Sequence, residues 1–217
     1  MRAHVVLPLD SIRLEPGGHA TCQLLVRNLG LTPDRFTFEV VGSTASWTTL
    51  DPPVLALGPD ATGHVAVHFH PPRASHVRAG VIPFGVLTTS AAEAAGSVVE
   101  KLVEVGRFCE ADVDLVPRSV RRSTATFRLN VANRGNATMR VRLRGRDPAG
   151  VLRVECTPAR LTVFPGTVAH CVVRVRPTCR RWRGAPLTRS FQVLADPGED
   201  LPLIATGELV HRPILPV

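Results

Sequence analysis

Short runs of alternating apolar and polar residues recur along the whole chain, and clusters of Gly, Pro, Asn and Asp separate them. Alternation with a period of two predicts strands with one buried face, and such spacing is typical of a sandwich or barrel. The runs predict strands at 22–27, 35–41, 63–70, 81–88, 97–105, 125–131, 138–143, 169–176, 188–194 and 203–210. Helical periodicity is nearly absent, so we expect an all-β protein.

The sequence contains two copies of the same β unit. Four segments recur in the same order, at a spacing of 105 residues that grows to 107: residues 26–30, 64–71, 84–87 and 102–103, matched at 131–135, 170–177, 191–194 and 209–210. Each copy has about 100 residues, the usual size of an Ig-like sandwich. We therefore predict two tandem immunoglobulin-like β-sandwich domains, residues 1–107 and 108–217, joined by a short linker.

Each copy also carries the same turn and strand motifs. These are a strand ending in Val-x-Asn-x-Gly, a Pro before a short strand, a turn of the Leu-x-Pro-Gly kind, and an alternating strand that runs into Pro. They lie at 26–30, Pro53, 57–60 and Pro71 in the first copy, and at 131–135, Pro158, 163–166 and Pro177 in the second. Because Asn and Gly tolerate positive φ, we predict that the repeated Asn and Gly serve tight turns.

These motifs resemble the bacterial Ig-like modules of the NEW3 type, and the resemblance covers nearly the whole chain. It implies an Ig-like fold but specifies hardly anything about activity. Because the residues carry no catalytic or ligand signature, we predict a non-catalytic interaction or scaffold protein, as an accessory or structural component of a larger bacterial assembly. Some actinobacterial proteins built this way carry the label "hydrolytic protein", and some are encoded beside genes for phage-tail-like contractile injection systems. The resemblance therefore implies a contractile injection system as one setting.

The positive charge of the chain lies in its second half. Residues 1–107 hold eight basic and nine acidic residues, whereas 108–217 hold 18 arginines and nine acidic residues. Nine of those arginines are predicted to point outward from strands or from the loop that follows them, and we assign them to partner binding: Arg128, Arg140, Arg142, Arg144, Arg174, Arg176, Arg180, Arg181 and Arg183. Such a surface attracts acidic partners, and we predict an acidic protein surface. Reversing Arg140, Arg142 and Arg144 to Glu should abolish binding and leave folding intact.

Other interpretations of the arginines stay open. A surface that binds nucleic acid specifically would normally carry aromatic residues that stack on bases. Only Trp182 lies near the arginines, so specific nucleic-acid binding is not expected. The alternative function is a binding module for an acidic glycan or cell-wall polymer. Open sheet edges offer strand addition as a second binding mode. Lys101 is the only lysine, so the arginines also fit a solvated surface in an Arg-biased proteome.

The chain lacks the motifs of enzymes and metal sites. It has no nucleophile elbow, no His-Glu-x-x-His helix and no paired carboxylates at strand ends, so we predict no catalytic residues and no cofactor. His64, His68 and His70 share one outward face, but their counterparts in the second copy are His170, Arg174 and Arg176. These positions therefore require only an exposed polar residue, and no metal site is predicted.

Cysteine usage and the N-terminal residues bear on the compartment. None of the five cysteines forms a Cys-x-x-Cys pair, so we expect reduced thiols, inward at Cys22, Cys156 and Cys171 and exposed at Cys109 and Cys179. Residues 1–9 lack the basic start and apolar stretch of a secretory signal. No run approaches the roughly 20 apolar residues of a membrane span. We expect a cytoplasmic protein, and the oligomeric state is not specified by these patterns.

Overall fold

The computed structural model describes residues 2–8, 12–121, 124–179, 184–198 and 201–211. The chain divides into two compact units, residues 1–108 and 109–217, and each is built from two packed β-sheets. The predicted boundary lies one residue before the observed one. The predicted class, two tandem Ig-like β-sandwich domains, is confirmed. No helix in the described ranges has the length and apolar character needed to cross a membrane.

The first domain contains nine strands and a single 3-10 turn at Ala45–Trp47 among its described residues. The strands are β1 (Ala3–Val6), β2 (Ile12–Leu14), β3 (Ala20–Asn28), β4 (Asp34–Val41), β5 (Thr48–Asp51), β6 (Val54–Leu57), β7 (Thr62–Phe69), β8 (Gly80–Ser90) and β9 (Ala95–Val105). A four-stranded sheet has the order β1-β3-β7-β5, and a five-stranded sheet has the order β2-β9-β8-β4-β6. All neighbours are antiparallel except β2 and β9.

The second domain repeats this topology. Its described strands are β10 (Ala111–Val116), β11 (Ser119–Val120), β12 (Ala125–Asn133), β13 (Met139–Arg146), β14 (Leu152–Thr157), β15 (Arg160–Val163), β16 (Val168–Pro177), β17 (Leu187–Asp196) and β18 (Leu203–His211). The sheet orders are β10-β12-β16-β14 and β11-β18-β17-β13-β15, with β11 parallel to β18. The sequence repeat is therefore a repeat of strand order as well.

The core of each domain lies between its sheets, because alternation turns a row of apolar side chains of every long strand inward. Phe69 and Phe84 meet edge to face with ring centroids 5.0 Å apart in the first domain. Phe127 and Phe191 meet at 4.9 Å in the second. All ten predicted strands are present, and the strands that the alternation missed are mostly four residues or shorter, such as β2 and β15.

The predicted match of the last strands is wrong by one residue. Leu102 is 56% exposed, whereas Leu209, its predicted counterpart, is fully buried. Val103 is buried and lies beside Ile12 of β2, as Leu209 lies beside Val120 of β11. The spacing in this strand is therefore 106 residues. Because a shift of one residue exchanges the faces of a strand, Leu102 points outward.

The repeated Asn and Gly do serve a turn, but the positive φ predicted for them is wrong. Asn28 and Gly30 do not have positive φ. The Asn28 side chain is buried, and its amide donates to the carbonyl oxygens of Thr32 at 3.0 Å, Leu57 at 3.1 Å and Gly58 at 3.2 Å. Its Oδ1 accepts from the N–H of Gly30 at 2.8 Å. A Cβ at Gly30 would lie 3.0 Å from that same oxygen, so this close approach favours Gly.

Asn133 makes the same bridge in the second domain. Its amide donates to the carbonyl oxygens of Ala137 at 2.8 Å and Val163 at 2.9 Å, and its Oδ1 accepts from the N–H of Gly135 at 3.0 Å. Asn133 is 3% exposed, so these bonds satisfy polar groups that water does not reach. The motif therefore ties the end of a long strand to the turn that follows it and to a facing strand.

Asp34 joins β4 to the hairpin between β8 and β9. Its carboxylate accepts hydrogen bonds from the Ser90 hydroxyl, from the N–H of Ala92 at 3.0 Å and from the N–H of Arg35 at 2.7 Å. Desolvation opposes ionisation, but these hydrogen bonds outweigh it and hold the pKa of Asp34 below its ordinary value. Ionised Asp34 therefore stabilises the native first domain.

Acidification should remove this stabilisation. Because the native pKa of Asp34 is lowered, its contribution is present above the unfolded pKa of about 3.9 and is lost as pH falls through the native value. The difference in unfolding free energy between the wild type and Asp34→Asn should therefore shrink between about pH 6 and about pH 3. Urea unfolding of both proteins with Trp182→Phe as a common background, followed by the fluorescence of buried Trp47, measures this difference. A difference that stays constant over this range would contradict the assignment.

Candidate arginine groove in the second domain

The five-stranded sheet of the second domain presents a row of arginines on its outer side. On β13, Met139, Val141 and Leu143 are buried, at 8%, 3% and 4% exposure. The residues that alternate with them are exposed: Arg140, Arg142, Arg144 and Arg146. Because successive side chains of a strand point to opposite sides, burial of the apolar set fixes the arginines outward. This is the orientation that the sequence predicts for Arg140, Arg142 and Arg144.

Neighbouring strands complete a groove around two of these arginines. Arg142 lies opposite Arg160 of β15 on one side and opposite Asp196 of β17 on the other, and Arg140 lies opposite Thr162. The open groove has a volume of about 450 Å³, and the turn after Asp196 forms one end. Strand pairing therefore brings together three arginines from two adjacent strands.

The groove is electrostatically unbalanced. Within the described ranges, no ion pair and no side-chain hydrogen bond involves the guanidinium groups of Arg140, Arg142 or Arg160. Asp196 is the only carboxylate among the described residues that line the groove, and its Oδ1 accepts the N–H of Gly198 at 2.9 Å. A guanidinium group offers forked donors that match a carboxylate in a bidentate pair. The arrangement can therefore bind anionic oxygen groups.

The other predicted arginines do not belong to this groove. Arg128 lies on β12, and Arg174 and Arg176 lie on β16, so all three project from the four-stranded sheet on the opposite side of the sandwich. The structure therefore divides the predicted set between two faces. Arg180, Arg181 and Arg183 lie outside the described residues.

The arginines of the four-stranded sheet are partly neutralised. Arg176 and Arg153 each approach the carboxylate of Glu155 at 2.8 Å. The hydrogen bond from Arg176, with the positive charge of both arginines, holds the pKa of Glu155 below its ordinary value. Since Glu155 already engages Arg176, this face has less free positive charge to offer than the groove.

The sequence analysis missed Arg160 as a groove residue. It lies on a strand of only four residues, in which Leu161 and Val163 alternate with Arg160 and Thr162. That alternation is the available signal, but four residues do not distinguish a strand from a loop. The proximity of Arg160 to Arg142 arises from pairing of β15 with β13.

Two of the three histidines that share an outward face, His68 and His70, line a groove of about 510 Å³ in the first domain, and His64 does not. His68 Nδ1 lies 3.1 Å from the Thr21 hydroxyl. His70 stacks on His19 with ring centroids 4.0 Å apart, and its Nδ1 donates to the Gly18 carbonyl at 3.0 Å. No group of three or more His, Cys, Asp or Glu in the described part of the chain is placed to hold a metal ion.

The cysteines are free thiols. Cys22 and Cys171 are buried, Cys156 is half-buried, and Cys109 and Cys179 are exposed. Burial raises the pKa of Cys22 to about 11, and a hydrogen bond with Cys171 together with burial raises the pKa of Cys156. Because the thiolate is the reactive form, the inward thiols of Cys22 and Cys156 are inert at neutral pH.

The sheet edges are short, which limits strand addition. The described edge strands β1, β2, β5, β6, β11 and β15 have four residues or fewer. Short edges disfavour pairing with another chain. The longer edges are β10 and β14, with six residues each. Strand addition, the second binding mode considered above, therefore has most room at these two edges of the second domain.

Comparison with known proteins adds little beyond the fold. No known family matches the chain by sequence, and no curated protein does. Among solved structures, a protein of unknown function from Porphyromonas gingivalis W83 is 13% identical, with a TM-score of 0.37 over 97% of this chain and 100% of that chain. The E. coli chaperone DraB is 12% identical, with a TM-score of 0.35 over 93% and 98%. The Pseudomonas aeruginosa CupB2 chaperone is 9% identical, with a TM-score of 0.36 over 94% and 100%.

Similarities at this level do not support inferences about activity or partners. The assignment to Ig-like sandwiches rests on the strand order described above. The resemblance to NEW3-type modules and the actinobacterial setting remain predictions.

Proposed function

We propose that this protein is a non-catalytic interaction module, and that its second domain binds an acidic protein segment in the arginine groove. One observation carries the proposal: Arg140, Arg142 and Arg160 converge on an open sheet face without an ion pair among the described residues. Uncompensated guanidinium groups on a rigid sheet are pre-organised to accept carboxylates.

The spacing of the arginines suits an extended acidic peptide. Arg140 and Arg142 are two positions apart on one strand, which places them about 7 Å apart on the same face. Alternate carboxylates of an extended peptide repeat at the same distance of about 7 Å. Arg160 on the adjacent strand adds a third donor about 5 Å away from Arg142. The preferred ligand is therefore a segment with acidic residues at alternate positions.

The wider role follows from the sequence resemblance. We propose an accessory or structural component of a larger bacterial assembly, with a phage-tail-like contractile injection system as the setting that the resemblance implies. The five free cysteines suit a reducing compartment, so we propose the cytoplasm. An acidic glycan or cell-wall polymer is the competing ligand, and the absence of aromatic residues among the described lining of the groove favours the peptide.

Poly-L-glutamate is the probe that tests this groove. The wild type should bind it, and Arg140→Glu/Arg160→Glu should weaken binding roughly 100-fold, because both substitutions reverse charges that face the ligand. Arg35→Glu/Arg121→Glu is the matched control, since it changes the net charge equally at exposed positions outside the groove. Calorimetric titration of the folded full chain measures the affinities, and the control should stay within about threefold of the wild type.

Two results would reject the proposal. If both variants lose the same affinity, binding depends on the overall charge and not on the groove. If the wild type fails to bind poly-L-glutamate but binds heparin, with loss in the groove variant, the groove is specific for an anionic glycan.

A further inference from the structure

The five-stranded sheet of the first domain has an exposed apolar outer face. Val81 is 62% exposed, Leu102 is 56% exposed and Val98 is 47% exposed. Pro83 lies opposite Leu102, and Leu87 lies opposite Val98, so these residues are neighbours on β8 and β9. We call the surface formed by these five residues the apolar face: Val81, Pro83, Leu87, Val98 and Leu102. Contiguous exposed apolar patches of this kind mark interaction sites.

Gly85 makes this surface continuous across three strands. It occupies an outward position on β8 but is buried. A Cβ there would lie 2.8 Å from Val41 Cγ2 and 3.3 Å from Val98 Cγ1, so the side chains of Val41 and Val98 close over the glycine. The apolar face therefore extends from β9 across β8 to β4.

Carboxylates accompany the apolar face. Glu39, Glu100 and Glu104 are exposed at outward positions of β4 and β9, and Glu39 lies opposite Leu87. Within the described ranges, none of these three glutamates forms an ion pair. The basic residues of this sheet face lie at its ends: Arg35 on β4, and Arg13, which approaches Glu15 at 3.3 Å. The centre of the face is therefore apolar and acidic.

The equivalent face of the second domain has the opposite charge. The repeat spacing of 105 residues matches Glu39 with Arg144, and all four outward residues of β13 are arginines. Leu194 of β17 lies opposite Arg144, and Ile204 of β18, which is 54% exposed, lies opposite Leu194. Two carboxylates, Asp196 and Glu208, also lie on this face, but its described arginines outnumber them: Arg140, Arg142, Arg144, Arg146 and Arg160. The face is therefore apolar with an excess of positive charge. The two sheets share their topology but are complementary in charge.

We infer that the protein self-associates by docking the apolar face of one copy on the arginine-bearing sheet of the second domain of another copy. The inference rests on the proposed function, because it names the acidic partner of the arginine groove. The three central strands of the first-domain sheet have 8 to 11 residues, and its two edge strands have three and four. At about 3.3 Å per residue and about 4.8 Å between strands, this sheet presents roughly 600 Å². This area is about three quarters of the about 800 Å² that each partner contributes to a standard interface.

The contact joins two different surfaces, so each copy keeps one free face after the first contact forms. Such a heterologous contact adds further copies until a ring closes. Screening weakens the ionic part of the contact, so salt should reduce the association.

Sedimentation velocity of two complementary variants tests the contact. Glu100→Arg/Leu102→Ser alters the apolar face at exposed positions, and Arg140→Glu/Arg160→Glu alters the arginine sheet. The wild type should gain mass as concentration rises, whereas each variant alone should remain monomeric. An equimolar mixture should form a species of twice the chain mass and stop there, because each variant retains one competent face. Circular dichroism checks that both variants fold.

Three results would overturn the inference. The wild type staying monomeric over the whole concentration range would reject self-association. Self-association of Arg140→Glu/Arg160→Glu alone would show that apolar faces pair with each other. A mixture that remains monomeric would show that the intact apolar face of one variant does not bind the intact arginine sheet of the other.

The two proposals fail in different ways. A monomeric wild type that binds poly-L-glutamate through the groove would reject only self-association. Complementation of the two variants without binding of poly-L-glutamate would keep self-association and reject acidic peptides as general ligands.

Discussion

Replacing Phe191 with alanine should lower the free energy of unfolding of the second domain by about 3–5 kcal/mol. Phe191 is fully buried between the two sheets and meets Phe127 edge to face at 4.9 Å. Gly207 lies directly opposite it on β18, and a Cβ at Gly207 would lie 2.6 Å from Phe191 Cζ. Because Gly207 has no side chain that could move into the cavity, we expect a loss near the upper end of this range.

Phe164→Ala is the matched control for Phe191→Ala. It removes the same atoms from the same domain, but Phe164 is 60% exposed, so the change should stay within about 0.5 kcal/mol. Hydrogen exchange of peptides from residues 109–217 in the full-length chain measures the free energy of unfolding of the second domain in both variants. Equal losses would contradict the placement of Phe191 in the core.

The outward direction of the β13 arginines was predictable because a strand alternates with a period of two. Which arginines lie close together was not predictable, because strand pairing in a sandwich joins residues that are distant in sequence. Arg128 and Arg140 are only 12 residues apart, yet β12 and β13 belong to different sheets and face opposite sides. Arg142 and Arg160 are 18 residues apart and lie side by side.

The apolar face of the first domain was not predicted, because two identical dipeptides were matched in the repeat. Leu-Val occurs at 102–103 and again at 209–210, so the repeat placed Leu102 with a core residue. A sequence match does not specify which side of a strand is buried. Burial depends on the neighbouring strands, and β2, which pairs with β9, has only three residues. The exposure of Leu102 could therefore be predicted only once the pairing of β2 with β9 was known.

The buried Asn133 offers a second large effect on stability. Asn133→Ala should cost the second domain about 2–4 kcal/mol, because Ala137 O, Val163 O and Gly135 N lose partners in a buried site. Asn133→Asp preserves the shape and the acceptor for Gly135 N but removes both donors. It places a carboxylate beside two carbonyl oxygens, so it should cost at least as much at neutral pH.

The pH dependence of Asn133→Asp separates hydrogen bonding from packing. Burial and nearby carbonyl oxygens should raise the native pKa of the introduced carboxyl above its unfolded value of about 3.9. The cost should therefore be small below that value, where the protonated carboxyl donates one hydrogen bond, and should grow as pH rises through the native pKa. Asn130→Ala on the same strand is the control. The Asn130 side chain makes an exposed hydrogen bond to His170 at 2.9 Å, so its loss should cost less than about 1 kcal/mol. A cost for Asn133→Asp that does not change with pH would show that packing, not the donated hydrogen bonds, makes this Asn important.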